Sequence, residues 1–157
     1  MLYGHGDLSP VTTIVLLASL LLAETPTCRR ASQTLFDHPP LVLECRVEGG
    51  DLVYSVQVKP ESDRALTGLI LNFRGAIRSV STPTDWHVRQ ERKSEELGTE
   101  ISWSASEAKW RKGRSKASIT FRVVVSGSNA GFSCGESRLY ARKDGGMEGG
   151  ENGCPIG

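Results

Sequence analysis

The chain has 157 residues, with 19 lysine and arginine side chains against 18 aspartate and glutamate side chains and a formal net charge of +1. This balance excludes the recruitment of a charged partner by the field of the whole molecule, so any such partner must bind a local patch. Residues 24–157 are long enough for one domain that buries roughly two-thirds of its unfolded surface.

Residues 1–23 are predicted to be a signal peptide. The run 11–23 is uncharged and ends in a small residue, as the apolar part of an export signal does. It is too short to span a bilayer, which takes about 20 residues. The alternatives are a buried core helix and a lipid anchor on Cys28. We expect a secreted or periplasmic protein of bacterial origin.

The four cysteines are Cys28, Cys45, Cys134 and Cys154. An even number in an exported chain indicates two disulfides. We favour Cys28 with Cys45 and Cys134 with Cys154, because each bridge closes a short loop and contributes about 3 kcal/mol. Pairing of Cys45 with Cys134 is the alternative, since Cys45 lies on the apolar side of its strand. The spacing of the cysteines and histidines disfavours zinc, and we expect no metal or cofactor.

After a polar lead-in at 24–39, a β-sandwich domain is predicted over 40–142. Short segments in which apolar and polar residues alternate predict its strands. These segments are 41–48, 52–59, 66–74, 76–80, 86–88, 101–105, 118–126 and 138–141. A Gly-Gly-Asp turn joins the first two into a hairpin.

Seven to eight short strands separated by turns indicate an all-β fold. We predict an antiparallel β-sandwich of the immunoglobulin-like or jelly-roll-like kind. Residues 89–97 are predicted to be a long charged hairpin loop, and a helix there is the alternative because Gly98 stands where a helix would end. The tail, 143–157, is rich in glycine and cannot meet the entropy of ordering unless Cys154 attaches it.

Part of the chain carries a pattern known from other proteins. Within 68–125, the sequence has a proline shortly before Trp86, the strand ISWSA and a strand that contains Phe121. This pattern resembles small exported bacterial β-sandwich domains of uncharacterised function. The chain differs from them in having Asp85 before the first tryptophan and RKGRSK in place of a Pro-Gly turn. The resemblance implies an extracytoplasmic sandwich and supplies no catalytic residues.

Two motifs suggest catalysis when taken alone. The string GFSCG fits the nucleophile elbow G-x-S-x-G around Ser133, but no helix pattern or histidine follows it, so a small serine hydrolase is a remote hypothesis. The carboxylates of Glu91, Glu95, Glu96 and Glu100 lie among arginines that keep them ionised, which is typical of an exposed loop. We therefore expect no enzyme activity.

The remaining candidate site is a basic stretch at 109–116. Its members are Lys109, Trp110, Arg111, Lys112, Arg114 and Lys116. Trp86 and Trp103 are in phase with apolar residues and are predicted to be in the core, whereas Trp110 stands among cations. The functional hypothesis is a hairpin that binds a polyanion, such as nucleic acid or an anionic glycan. The alternative is a solvated turn that discourages pairing of sheet edges.

The sequence favours a binding or structural module of the cell envelope or the extracellular space. Such a module would recognise a protein or glycan partner through loops at one end of the sandwich. A polyanion binder acting through the basic stretch is the second hypothesis.

Overall fold

The computed structural model describes residues 25–37, 40–59, 64–105, 118–143, 146–147 and 151–152. The predicted signal peptide and the basic stretch lie outside these ranges. The described residues form nine strands and no helix. The strands are β1 (Ser32–Asp37), β2 (Pro40–Glu48), β3 (Asp51–Val58), β4 (Arg64–Ser81), β5 (Trp86–Ser94), β6 (Gly98–Ala105), β7 (Ile119–Lys143), β8 (Gly146–Met147) and β9 (Glu151–Asn152).

All the strand pairs are antiparallel, which confirms the all-β antiparallel prediction. The strands form one hydrogen-bonded sheet in the order β1-β2-β3-β7-β4-β6-β5. The short strands β8 and β9 both pair with β7. β4 has 18 residues and β7 has 25, and the two pair along most of their length.

This single sheet folds over into two layers. Leu69 of β4 pairs with Trp103, whereas Val80 of the same strand pairs with Val123 of β7. The two β4 positions would lie about 36 Å apart in a straight strand. However, the ring centroids of Trp103 and Phe121 are only 4.9 Å apart. β4 and β7 must therefore bend, so that the half of the sheet holding β1, β2 and β3 packs on the half holding β5 and β6.

The bend lies where the pairing of β4 with β7 is interrupted at Gly75. The register shifts between Arg74 and Ala76, and β7 accommodates the shift with an insertion at 127–130. Gly75 has a φ of +97°, and a Cβ atom there would lie 2.6 Å from the Ser126 carbonyl oxygen. Only glycine allows this conformation together with this approach of the two strands.

The two layers of the sandwich belong to one continuous hydrogen-bonded sheet, because β4 and β7 take part in both. The structure differs from the prediction in two places. The polar lead-in at 24–39 contains β1, so the sheet begins before residue 40. The long loop predicted at 89–97 is wrong, because β5 continues to Ser94 and the chain reverses over 95–97.

The core lies between the two layers, and its members come from β1 to β7. Most of the predicted inward positions of the long strands are buried, including Leu43, Val56 and Leu71. Val47 at the end of β2 and Val88 on β5 are predicted inward as well, but they are 47% and 39% exposed. Trp86 and Trp103 are also buried, and both contact Phe121. The ring centroid of Phe121 lies 5.2 Å from that of Trp86 and 4.9 Å from that of Trp103. The prediction that these two tryptophans belong to the core is confirmed.

The N-terminal segment is attached to β2 by a disulfide between Cys28 and Cys45, whose Cα atoms lie 5.8 Å apart. The Cys45 backbone N–H also donates a hydrogen bond to the Ala31 carbonyl oxygen, at 2.9 Å. This is the favoured pairing, and it excludes a bridge from Cys45 to Cys134. Cys134 is itself disulfide-bonded, and its predicted partner, Cys154, lies outside the described residues.

Candidate interaction surface

The structure places only the two ends of the segment that carries the basic stretch. β6 ends at Ala105, which pairs with Trp86, and β7 begins at Ile119, which pairs with Val58. These two ends belong to different layers of the sandwich. The basic stretch itself, from Lys109 to Lys116, lies outside the described residues.

The arrangement around Ser133 differs from that of a nucleophile elbow. Ser133 lies inside β7 opposite Asn72, with no turn into a helix after it. His87 is on β5, and β4 and β6 lie between that strand and β7. Three strand spacings correspond to about 14 Å, which is beyond hydrogen-bond reach. The described residues also contain no group of three or more possible metal ligands.

The charged side chains of the β5–β6 hairpin neutralise one another. Glu91 and Glu100 are cross-strand partners, and Lys93 Nζ lies 3.2 and 3.7 Å from their Oε2 atoms. Like charges opposite each other destabilise a sheet, so the lysine offsets this repulsion. Arg89 Nη2 lies 3.7 Å from Glu91 Oε2, and its side chain is 80% exposed. These carboxylates form a surface charge network, unlike a glycosidase pair facing across a cleft.

β5 is the most exposed strand of the described sheet. Trp86 is buried at its start, but all the residues from His87 to Ser94 are exposed. Val88 is 39% exposed although it is apolar. β6 pairs with one side of β5, and within the described part of the chain no strand pairs with the other side. β5 therefore presents a row of backbone N–H and C=O groups to any extended chain that approaches.

The turn after β5 holds this edge in position. The Leu97 N–H donates to Ser94 Oγ at 3.0 Å, and Gly98 continues the turn with a φ of +79°. A Cβ atom on Gly135 would lie 3.0 Å from Leu97 Cδ2, so the end of the hairpin rests on β7. Asn72 Nδ2 donates to the Gly135 carbonyl oxygen at 3.0 Å and fixes that part of β7.

Sequence reasoning did not identify β5 as a surface of interest, because a strand that is exposed on both faces shows no alternation. A usable signal was nevertheless present. Residues 86–94 contain no glycine or proline, and they are followed by Gly98 and by a clear strand of similar length. That spacing is typical of a hairpin with one exposed edge.

Comparison with family models, with curated proteins and with solved structures found no match for this chain. In the described part of the chain, no helix is long and apolar enough to cross a membrane.

Proposed function

We propose that this protein is an exported interaction module that binds a protein partner through the edge of β5. The observation that carries the proposal is the run of exposed residues from His87 to Ser94 on a strand with one side unoccupied by any described strand. An extended segment of a partner adds to such an edge as a further strand. Main-chain hydrogen bonds then give affinity, and alternate side chains give specificity.

Three features support an extracytoplasmic location. The Cys28–Cys45 disulfide is compatible with an oxidising compartment, where such bonds persist. The resemblance of 68–125 to small exported sandwich domains, together with the predicted signal peptide, supports the same location. The proposal assigns no catalytic role to Ser133, which lies within a continuous strand, or to the hairpin carboxylates, which are engaged in ion pairs.

Photochemical cross-linking in the native cells tests the proposal. The photoreactive residue p-benzoylphenylalanine replaces Gln90 on β5 or, as a matched control, Val47 on β2. Val47 is 47% exposed, but β2 lies inside the sheet between β1 and β3. We expect a discrete protein adduct from the Gln90 position and none from the Val47 position. Equal labelling at both positions, or none at either, contradicts binding through β5.

A second candidate function is polyanion binding by the basic stretch, which has five cationic side chains in eight residues. Salt-dependent retention of residues 24–157 on a heparin column tests it. The variant is the triple reversal R111E, K112E and R114E. The matched control reverses three exposed arginines on the sheet, R46E, R78E and R122E.

If the basic stretch binds polyanions, only the first triple variant elutes at markedly lower salt than the parent. Equal shifts from both triple variants would indicate that net charge alone governs retention, and the second candidate would be rejected.

A further inference from the structure

We infer that the partner of β5 is the β5 strand of a second copy of this chain, paired antiparallel about a two-fold axis at Gln90. This inference rests on the proposed function, because it names the partner of the same edge. Such a contact is isologous: each copy offers the same strand to the other, and the two sheets become one continuous sheet.

The charges of β5 are self-complementary in this register. When Gln90 lies opposite Gln90 of the second copy, Arg89 lies opposite Glu91 of that copy, and the two-fold axis repeats this pair. Cross-strand pairs of opposite charge stabilise a sheet. The Arg89 side chain is 80% exposed in the single chain and is therefore accessible to a second carboxylate.

Neighbouring registers are disfavoured by the same charges. A two-fold axis at Glu91 places that carboxylate opposite its own copy and Arg89 opposite Lys93. An axis at Arg89 places that guanidinium opposite its own copy. Like charges directly opposite each other destabilise strand pairing, so the sequence of β5 selects the register centred on Gln90.

The regular part of β5 limits how far this pairing extends. The register between β5 and β6 is regular from Trp86 to Arg92 and shifts between Arg92 and Ser94, so the strand is irregular at Lys93. Bulges of this kind end the pairing of an edge strand. In the register centred on Gln90, pairing with a second copy can therefore run over 88–92.

A second copy would also cover the exposed apolar residue of this edge. In the inferred register Val88, which is 39% exposed, lies opposite Arg92 of the other copy. The aliphatic part of an arginine side chain packs well on apolar surface while its charged end stays in water. Because a five-residue strand pair forms a small interface, we expect weak, concentration-dependent association.

Cysteine cross-linking tests the register. Directly opposed residues of antiparallel strands have Cα atoms about 4.5–5.5 Å apart, within the range that a disulfide bridges. Under a glutathione redox buffer, we expect Gln90→Cys to form a covalent dimer, whereas Val47→Cys stays monomeric. An equimolar mixture of Arg89→Cys and Glu91→Cys should form the mixed dimer faster than either variant forms its own dimer.

Charge-reversal variants test how much the Arg89–Glu91 pairs contribute to self-association. Analytical ultracentrifugation of each variant measures the strength of its self-association. With R89E alone or E91R alone, positions 89 and 91 carry like charges and face each other across both symmetry-related pairs. We therefore expect self-association to weaken roughly tenfold. The double variant R89E/E91R restores opposite pairs and should recover the parent behaviour. A far-ultraviolet circular dichroism spectrum of each single variant that matches the parent spectrum shows that the variant is folded.

The inference is overturned if the parent is monomeric at every concentration and Gln90→Cys dimerises no faster than Val47→Cys. The photochemical experiment distinguishes that failure from failure of the proposed function. If the Gln90 position forms an adduct with a different protein, β5 is a binding edge, but its partner is not a second copy of this chain. An absence of adducts rejects both.

Discussion

Gly98 determines how closely the β5–β6 hairpin approaches the neighbouring strand. Its φ of +79° is a conformation that residues with a side chain rarely adopt. A Cβ atom there would also overlap the carbonyl oxygen of Phe73 on β4. The first residue after the turn therefore has to be glycine for two separate reasons, one conformational and one steric.

We predict that Gly98→Ala lowers the free energy of unfolding by about 3 kcal/mol, because backbone strain and displacement of β4 add together. The matched control is Gly49→Ala. Gly49 has a φ of +59°, but a Cβ atom there meets nothing within 4 Å. Gly49→Ala should therefore lower the free energy of unfolding by only about 1–2 kcal/mol, from the unfavourable backbone conformation alone. Guanidinium denaturation followed by tryptophan fluorescence measures both values, and equal values would show that the steric contact does not matter.

Asn72 shows where alternation along a strand is an insufficient guide. Leu71 and Phe73 are correctly predicted to face the core, which places Asn72 on the solvent face. Asn72 is nevertheless fully buried, and its Nδ2 donates to the Gly135 carbonyl oxygen. β7 has a bulge at 134–137, which covers this side chain. A residue more than sixty positions away in the sequence thus decides its burial, and local pattern does not contain that information.

At the level of strands, the sequence predicts well those that have one buried face. The hairpin of β2 and β3 has most of the predicted residues inward, because burial of one face produces alternation. The exception is Val47 next to the turn, which is 47% exposed. β4 and β7 are predicted less well. Each is divided into two strands on the sequence because Gly75 and the segment 127–130 resemble turns. In the structure these are bends within paired strands, and pairing across them depends on the partner strand.

β1 depends on the cross-link that precedes it. It is an edge strand whose pairing with β2 has a register shift between Thr34 and Phe36. The Cys28–Cys45 disulfide holds the chain just before β1 beside β2. A strand that pairs on one side only is expected to open before the centre of the sheet when its attachment is removed.

We predict that replacing both Cys28 and Cys45 by serine lowers the free energy of unfolding by about 3 kcal/mol, since the unfolded chain regains the freedom of a closed loop. Amide hydrogen exchange in β1 should accelerate more than exchange in β3, which pairs on both sides. Mass spectrometry after pulsed exchange measures the two strands in one sample. Equal acceleration in β1 and β3 would show that the disulfide stabilises the whole sheet without any particular effect on its edge.

The described residues form one sheet folded into two layers, so contacts between the layers have to maintain the fold. Tyr54 of β3 is one such contact. Its ring centroid lies 5.1 Å from that of Phe73 in the opposite layer, and its phenol interacts with the Phe132 backbone of β7. Burial raises the pKa of the Tyr54 phenol, while the hydrogen bond with Phe132 and the positive charge of Arg74 act in the opposite direction.

The raised pKa of Tyr54 makes the free energy of unfolding decrease at alkaline pH. The folded state holds the Tyr54 proton more tightly than the unfolded chain, whose tyrosine has a pKa of about 10. The contribution of this proton is therefore complete below pH 10 and is lost as the pH rises through the folded pKa. We predict that the free energy of unfolding falls more steeply above pH 10 in the parent than in Tyr54→Phe. Denaturation midpoints of the two proteins, measured across the alkaline range, give the two slopes. If Tyr54→Phe follows the parent, then ionisation of the interlayer phenol does not contribute to alkaline unfolding, and the loss of stability must come from other groups.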